Sequence, residues 1–131
     1  MKNISKILII IGLVILISVI AIKINLSNYK KLADDRVEKV IEIQEADLDK
    51  ARIEVDEYDF YDSSYSKRIY FNDDPEIEYR YNYEKPRDRV HVTAYYKSAS
   101  VNVIGKETKY SHSLKVYFDS EGLINKVDKL N

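Results

Sequence analysis

From Ile7 to Ile22 the chain runs for sixteen residues without a charge, built almost wholly of Ile, Leu and Val, with Gly12 and Ser18 as its only weak points. A core helix of a soluble protein keeps a polar side, and this segment is apolar all round. Its natural surroundings are hydrocarbon. Sixteen residues of helix rise roughly 24 Å, short of the roughly 30 Å of a bilayer core. Lys6 and Lys23 can snorkel, however, so the usable stretch reaches from about Ile4 to Leu26. Residues 1–26 are therefore expected to be a transmembrane anchor. Its lipid-facing residues are Ile7, Leu8, Ile9, Ile10, Ile11, Leu13, Val14, Ile15, Leu16, Ile17, Val19, Ile20 and Ile22.

The rival reading is a cleaved signal peptide, with Lys2 and Lys6 as its basic start and Val19 and Ala21 as small residues before a cut. Ile20 and Ile22 crowd that site and no polar, helix-breaking segment precedes it, which favours an uncleaved anchor. Orientation is contested by the charges. Lys2 and Lys6 precede the segment, whereas Lys23, Lys30, Lys31 and Arg36 follow it. A bare count of flanking cations would keep the body inside. A short basic start followed at once by an apolar run behaves as an uncleaved signal, and long following domains translocate largely regardless of charge. The expected location is the cell membrane, single-pass, with the C-terminal body outside the cytoplasm.

That body, residues 27–131, is one domain with room for a modest core. The whole chain carries 21 Lys and Arg against 22 Asp and Glu. The first 23 residues hold three lysines and no acid, so the rest is net −4. A mildly acidic body argues against nucleic acid as a partner, which needs clustered cations. It also argues against attraction to anionic headgroups through charge. Cysteine is absent, which removes disulfides, thiolate metal sites, thiol nucleophiles and a lipidated cysteine together.

After a polar break at Asn25 to Asn28, apolar residues recur at Tyr29, Leu32, Ala33, Val37, Val40 and Ile41, the spacing of one helical face. Lys31, Asp34, Arg36 and Glu38 supply the solvated side. Ser27 reads as the N-cap, and the far end lies near Glu45 or beyond Leu48, with continuity into the membrane helix left open.

From Arg52 onward the period becomes two. Ile77, Tyr79, Tyr81 and Tyr83 alternate with Glu76, Glu78, Arg80 and Asn82. Val90, Val92, Ala94 and Tyr96 alternate likewise, and Pro86 lies in the turn between the two runs. Ile53 to Phe60 and Lys67 to Phe71 read as two earlier strands joined at Asp62-Ser63-Ser64. Leu114, Val116 and Phe118 lead into a last hairpin that ends with Leu123 to Leu130, whose Gly122 can take the positive φ of a bulged turn. The expected fold is α+β: one transmembrane helix, then an amphipathic helix packed on a curved antiparallel sheet of about five strands.

The short apolar start, the helix, Tyr58-Asp59-Phe60-Tyr61, Asp73-Asp74-Pro75 and the Tyr79, Tyr81, Tyr83 ladder resemble the family catalogued as domain of unknown function 3139. The resemblance reaches to about Tyr96. It implies a small membrane-anchored protein of Gram-positive bacteria and carries no activity or functional residues with it.

Four features read as candidate chemistry, each beside a plainer explanation. Asp56, Glu57, Asp59 and Asp62 would gather around a cation, but they lack the glycine turn and closing glutamate of a calcium loop, and alternate strand residues face opposite ways. His91 and His112 lie far apart without the spacing of a zinc pair, so no metal or cofactor is expected. Asp73 and Asp74 would serve as acid and base in a cleft, or else as turn residues. Tyr79, Tyr81 and Tyr83, if exposed, would form a binding platform; otherwise they suit a half-buried pleated surface. With no catalytic set in view, the reading is a non-enzymatic binding module at the cell envelope that meets envelope proteins or wall polymer. An envelope hydrolase using acidic residues, or a secreted protein after signal cleavage, is the alternative.

Overall fold

The computed structural model describes residues 2–98, 101–103 and 108–130. A single helix, α1 (Lys2–Ile43), carries the chain from the apolar stretch into the body without interruption. Its most apolar eighteen-residue window has mean hydropathy 3.2 and buries nothing against protein, as a single-pass anchor or a signal sequence would. Ser27 is therefore not an N-cap. Asn25, Ser27 and Asn28 each lower helix propensity by only a few tenths of a kcal/mol, and no proline or glycine stands among them. The apolar face beyond them supplies the packing that keeps the helix whole.

That face is Tyr29, Ala33, Val37, Val40 and Ile41, all buried, with Leu32 half-buried beside them. Arg36 and Gln44 are buried on the same side. The helix stops because Glu45 turns left-handed, φ 57°. The Ala46 amide then reaches back to the Ile41 carbonyl and the Glu45 amide to that of Glu42, the closing pattern usually built on glycine. A short 3-10 turn at Leu48–Lys50 leads into the sheet.

Six antiparallel strands follow in a simple meander: β1 (Ala51–Asp59), β2 (Ser64–Phe71), β3 (Ile77–Glu84), β4 (Arg89–Tyr96), β5 (Leu114–Phe118) and β6 (Ile124–Lys129). The count is one more than about five, because the exposed first and last segments both pair as edge strands. The sheet is open, so among the described residues β1 and β6 each keep one unpaired side. Helix α1 crosses one face. Against it lie Ile69, Phe71, Tyr79, Tyr81, Tyr83, Val90, Val92, Ala94, Leu114, Val116 and Phe118, forming the core. The other face is polar and wetter, as alternation requires, and there Arg80 stacks 3.8 Å from the Tyr95 ring centre.

Gly122 has φ 79°, as its place in the last hairpin predicts, and a second constraint holds it. A Cβ there would run into the Arg36 guanidinium.

Candidate functional site

The tyrosine ladder is core. Tyr79, Tyr81 and Tyr83 are each 0% exposed, because the period-two face they share is the one α1 covers, so they form no platform on the folded chain. Their hydroxyls are spent inside. Tyr81 donates to Gln44 Oε1 at 2.8 Å, and Gln44 in turn donates to the Ser111 carbonyl at 2.5 Å. Tyr83 donates to Asp88 at 2.8 Å and Tyr79 to Asp74 at 2.6 Å. Each phenol thus buries its ring and carries its polar tip to a helix side chain or a turn. Burial pushes all three above the ordinary tyrosine range.

The Asp73-Asp74-Pro75 corner is accounted for in the same way. Asp73 accepts from Tyr110 at 2.6 Å and pairs with Lys109 at 2.7 Å, and these two hold its carboxyl below the usual range. A carboxylate kept charged by a cation is poorly placed to give up a proton. With Tyr79 on Asp74, the corner ties the β2–β3 turn to the segment ahead of β5.

The acidic group does not converge. Asp59 folds back to accept the amides of Tyr61 and Asp62 in its own turn. Asp56 points to the helix. Among the described residues, no group of three or more His, Cys, Asp or Glu side chains lies close enough to share a metal ion. His91 faces Asn82 across the β3–β4 pair, and burial, with Lys115 and Arg89 nearby, lowers its pKa. The His112 ring lies 3.0 Å from the Ser113 hydroxyl.

What the fold does bring together is a groove between α1 and the first two strands. It has a volume of about 290 Å³. Val37, Ile41, Leu48, Ile53 and Ile69 make an apolar floor, and Lys30, Asp34, Asp56 and Lys67 close one end. Lys30 bridges Asp34 at 3.0 Å and Asp56 at 3.2 Å. Lys67 bridges Asp56 at 3.2 Å and also pairs with Asp34. Two cations and two anions therefore alternate in a neutral ring.

Lys67 is the unusual member, since only 7% of its side chain is exposed. An ammonium removed from water is tolerated only when its hydrogen bonds are replaced, here by two carboxylates. Burial works against ionisation of Asp56, but Lys67 and Lys30 outweigh it and hold the carboxyl low. The hydrogen bond to Asp34 holds Lys30 protonated above its ordinary value. With every charge answered, the ring has no free base; it clamps β1 and β2 to α1 and gives the groove one polar wall.

Sequence reasoning missed this ring, although a signal was present. Tyr65, Lys67, Ile69 and Phe71 alternate on one face, so a lysine in that register faces the core. Arg36, at helical spacing from Ala33 and Val40, carried the same signal.

A family model described as "Protein of unknown function (DUF3139)" matches residues 2–81. The chain belongs to the DUF3139 family. The match covers the apolar stretch, the rest of α1 and the sheet as far as Tyr81, and so includes all four ring residues. It stops within β3, short of the Tyr96 limit read from the sequence. No curated protein and no solved structure matches the chain. Membership in DUF3139 brings no activity with it.

Proposed function

We propose that the chain is a single-pass membrane protein whose body stands outside the cytoplasm and serves as an interaction module at the cell envelope. Its partner is an extended segment of an envelope protein, which adds to the free side of β1. One observation carries this reading: β1 is nine residues long, pairs among the described residues with β2 alone, and lies beside the apolar-floored groove. An unpaired edge offers backbone donors and acceptors, and a flanking groove supplies selectivity for alternate side chains. Ile53 is 43% exposed at that edge, an apolar contact left open to solvent.

The charges of β1 and the irregularity between Ile53 and Val55 blunt the edge against indiscriminate pairing. They favour a partner of defined sequence. A hydrolase reading has less support, since Asp73 and Asp74 are occupied by phenols and a lysine. Wall polymer has less support too, since the aromatic ladder that would stack on sugars lies inside.

A photoreactive benzophenone amino acid placed at Ile53 of the full-length chain in growing cells tests this. The expected result is a discrete adduct with one envelope protein, absent when the same probe replaces Lys126 on β6. No adduct at Ile53, or the same adducts from both positions, would contradict it.

A further inference from the structure

Two turns at one end of the sheet flank the point where α1 leaves its apolar stretch. Tyr29 is the link between them. Its hydroxyl accepts the Lys85 amide of the β3–β4 turn at 2.9 Å. It lies 3.1 Å from the Ser63 carbonyl of the β1–β2 turn and 3.3 Å from that of Tyr83. Its ring meets Tyr58 edge-on at 5.2 Å, and Tyr58 meets Phe60 at 4.8 Å. The turns are thus fixed to the helix at this level.

That level can be placed relative to a bilayer. Tyr29 is three residues beyond Leu26, a rise of about 4.5 Å. The headgroup layer adds roughly 5–7 Å on each side of the hydrocarbon core. With the apolar stretch of α1 in hydrocarbon, an uninterrupted helix puts Tyr29 and both turns at headgroup depth.

At that depth the chain displays its most exposed aromatics. Phe60 is 75% exposed and Tyr61 95%. A notch of about 410 Å³ opens beside them, between Leu26, Tyr29, Tyr58, Lys85 and Pro86. Exposed rings gain nothing from bulk water, whereas the membrane interface is where amphipathic aromatics concentrate.

We propose that the β1–β2 and β3–β4 turns are seated in the headgroup layer of the bilayer that α1 spans, with Phe60 and Tyr61 as interfacial anchors and lipid filling the notch. The β5–β6 turn, held through Gly122 by Lys39 about 15 Å farther along α1, stays clear of that layer. The proposal rests on the membrane-tethered reading and adds to it a fixed posture. Lys85 and Arg87 lie at the same end with Asp59, Asp62 and Glu84, the last 3.8 Å from Arg87, so the seating is driven by aromatic burial and not by net positive charge. The body then stands on the membrane with the β2–β3 turn at its outer end and the β1 edge open to the side.

The absence of tryptophan makes the test direct. Phe60→Trp and Tyr61→Trp each give full-length chain one indole reporter, at positions exposed enough to leave the fold intact. Each is reconstituted in two sets of phosphatidylcholine vesicles, whose acyl chains are brominated close to the headgroup in one and near the bilayer centre in the other. Glu76→Trp, in the β2–β3 turn at the other end of the sheet, and Ile15→Trp, in the apolar stretch, are the references. The expected result is a blue-shifted emission and loss of most of it from positions 60 and 61, with little loss from 76. Strong quenching of the Ile15→Trp indole without quenching at 60 and 61 would overturn the seating and leave the tether standing. No quenching at any position, 15 included, would overturn both.

Discussion

Raising the pH of detergent-solubilised full-length protein from 9 to above 11 is expected to unfold the body, with strand circular dichroism and tyrosinate absorbance changing in one cooperative step. The chain has twelve tyrosines. Burial raises Tyr79, Tyr81 and Tyr83 well above 10 and pushes Tyr65 and Tyr110 up to about 12. A group whose folded pKa exceeds its unfolded value contributes stability that is complete below the unfolded pKa and lost as pH rises toward the folded one. Here the window opens near pH 10, where an unfolded phenol ionises. The cost of each buried phenol rises toward about 1.4 kcal/mol per pH unit above that point, so Tyr79, Tyr81 and Tyr83 alone remove about 3 kcal/mol between pH 10 and 11. A domain of this size has roughly 5–15 kcal/mol to lose. Lys30, raised by Asp34, acts in the same direction. Smooth ionisation of all twelve phenols around pH 10, with strand signal unchanged, would mean that the ladder is not buried.

The second large effect is expected from Asp88. This residue sits at φ 42° after the β3–β4 turn and accepts Arg36 through Nε at 2.9 Å and Nη2 at 3.3 Å, and the Tyr83 hydroxyl at 2.8 Å. Arg36 is 8% exposed, with its guanidinium 5.1 Å from the Phe118 ring centre. In Asp88→Ala the buried cation keeps only Asp35, whose side chain is half in water. Breaking a fully buried pair costs about 3–5 kcal/mol; the partial exposure of Asp88 reduces that to roughly 2–4. Chemical denaturation of the full-length protein reads the loss. Asp88→Asn keeps a side chain that tolerates positive φ and still accepts hydrogen bonds, so it should lose less. Combining Asp88→Ala with Arg36→Met removes the orphaned charge and should recover part of the stability. A loss below about 0.5 kcal/mol for Asp88→Ala alone would mean that Arg36 is not held as described.

Both effects depend on features only partly legible in the sequence. The strands were legible because alternation is local: Ile77, Tyr79, Tyr81 and Tyr83 form β3 within one residue of their expected ends. The helix face was legible for the same reason, with Tyr29, Ala33, Val37, Val40 and Ile41 all buried. Alternation assigns residues to faces without saying which face is covered, and tyrosine suits either. Only the crossing of α1 decided that the ladder is interior. Ser27 is not the N-cap it resembled, and the continuity left open at Asn25 to Asn28 is decided for one helix, because weak local preferences yield to packing farther along it.

The candidate site was the least legible part. Lys67 meets Asp34 from 33 residues away and Arg36 meets Asp88 from 52 away, pairings that no local pattern specifies. In each case the sequence did contain a charge in register with an apolar face. That combination needs a buried counter-charge, although nothing local names it.

The outward-facing, uncleaved anchor is the claim on which the rest depends, and one thiol tests it because the chain has none of its own. Ser120→Cys lies in the exposed β5–β6 turn, and intact cells carrying it are treated with a membrane-impermeant maleimide before fractionation. The account predicts labelling of a full-length, membrane-bound chain in intact cells. Labelling only after lysis would place the body in the cytoplasm, and a labelled chain that is soluble and shortened would mean that the apolar stretch is a signal removed on export.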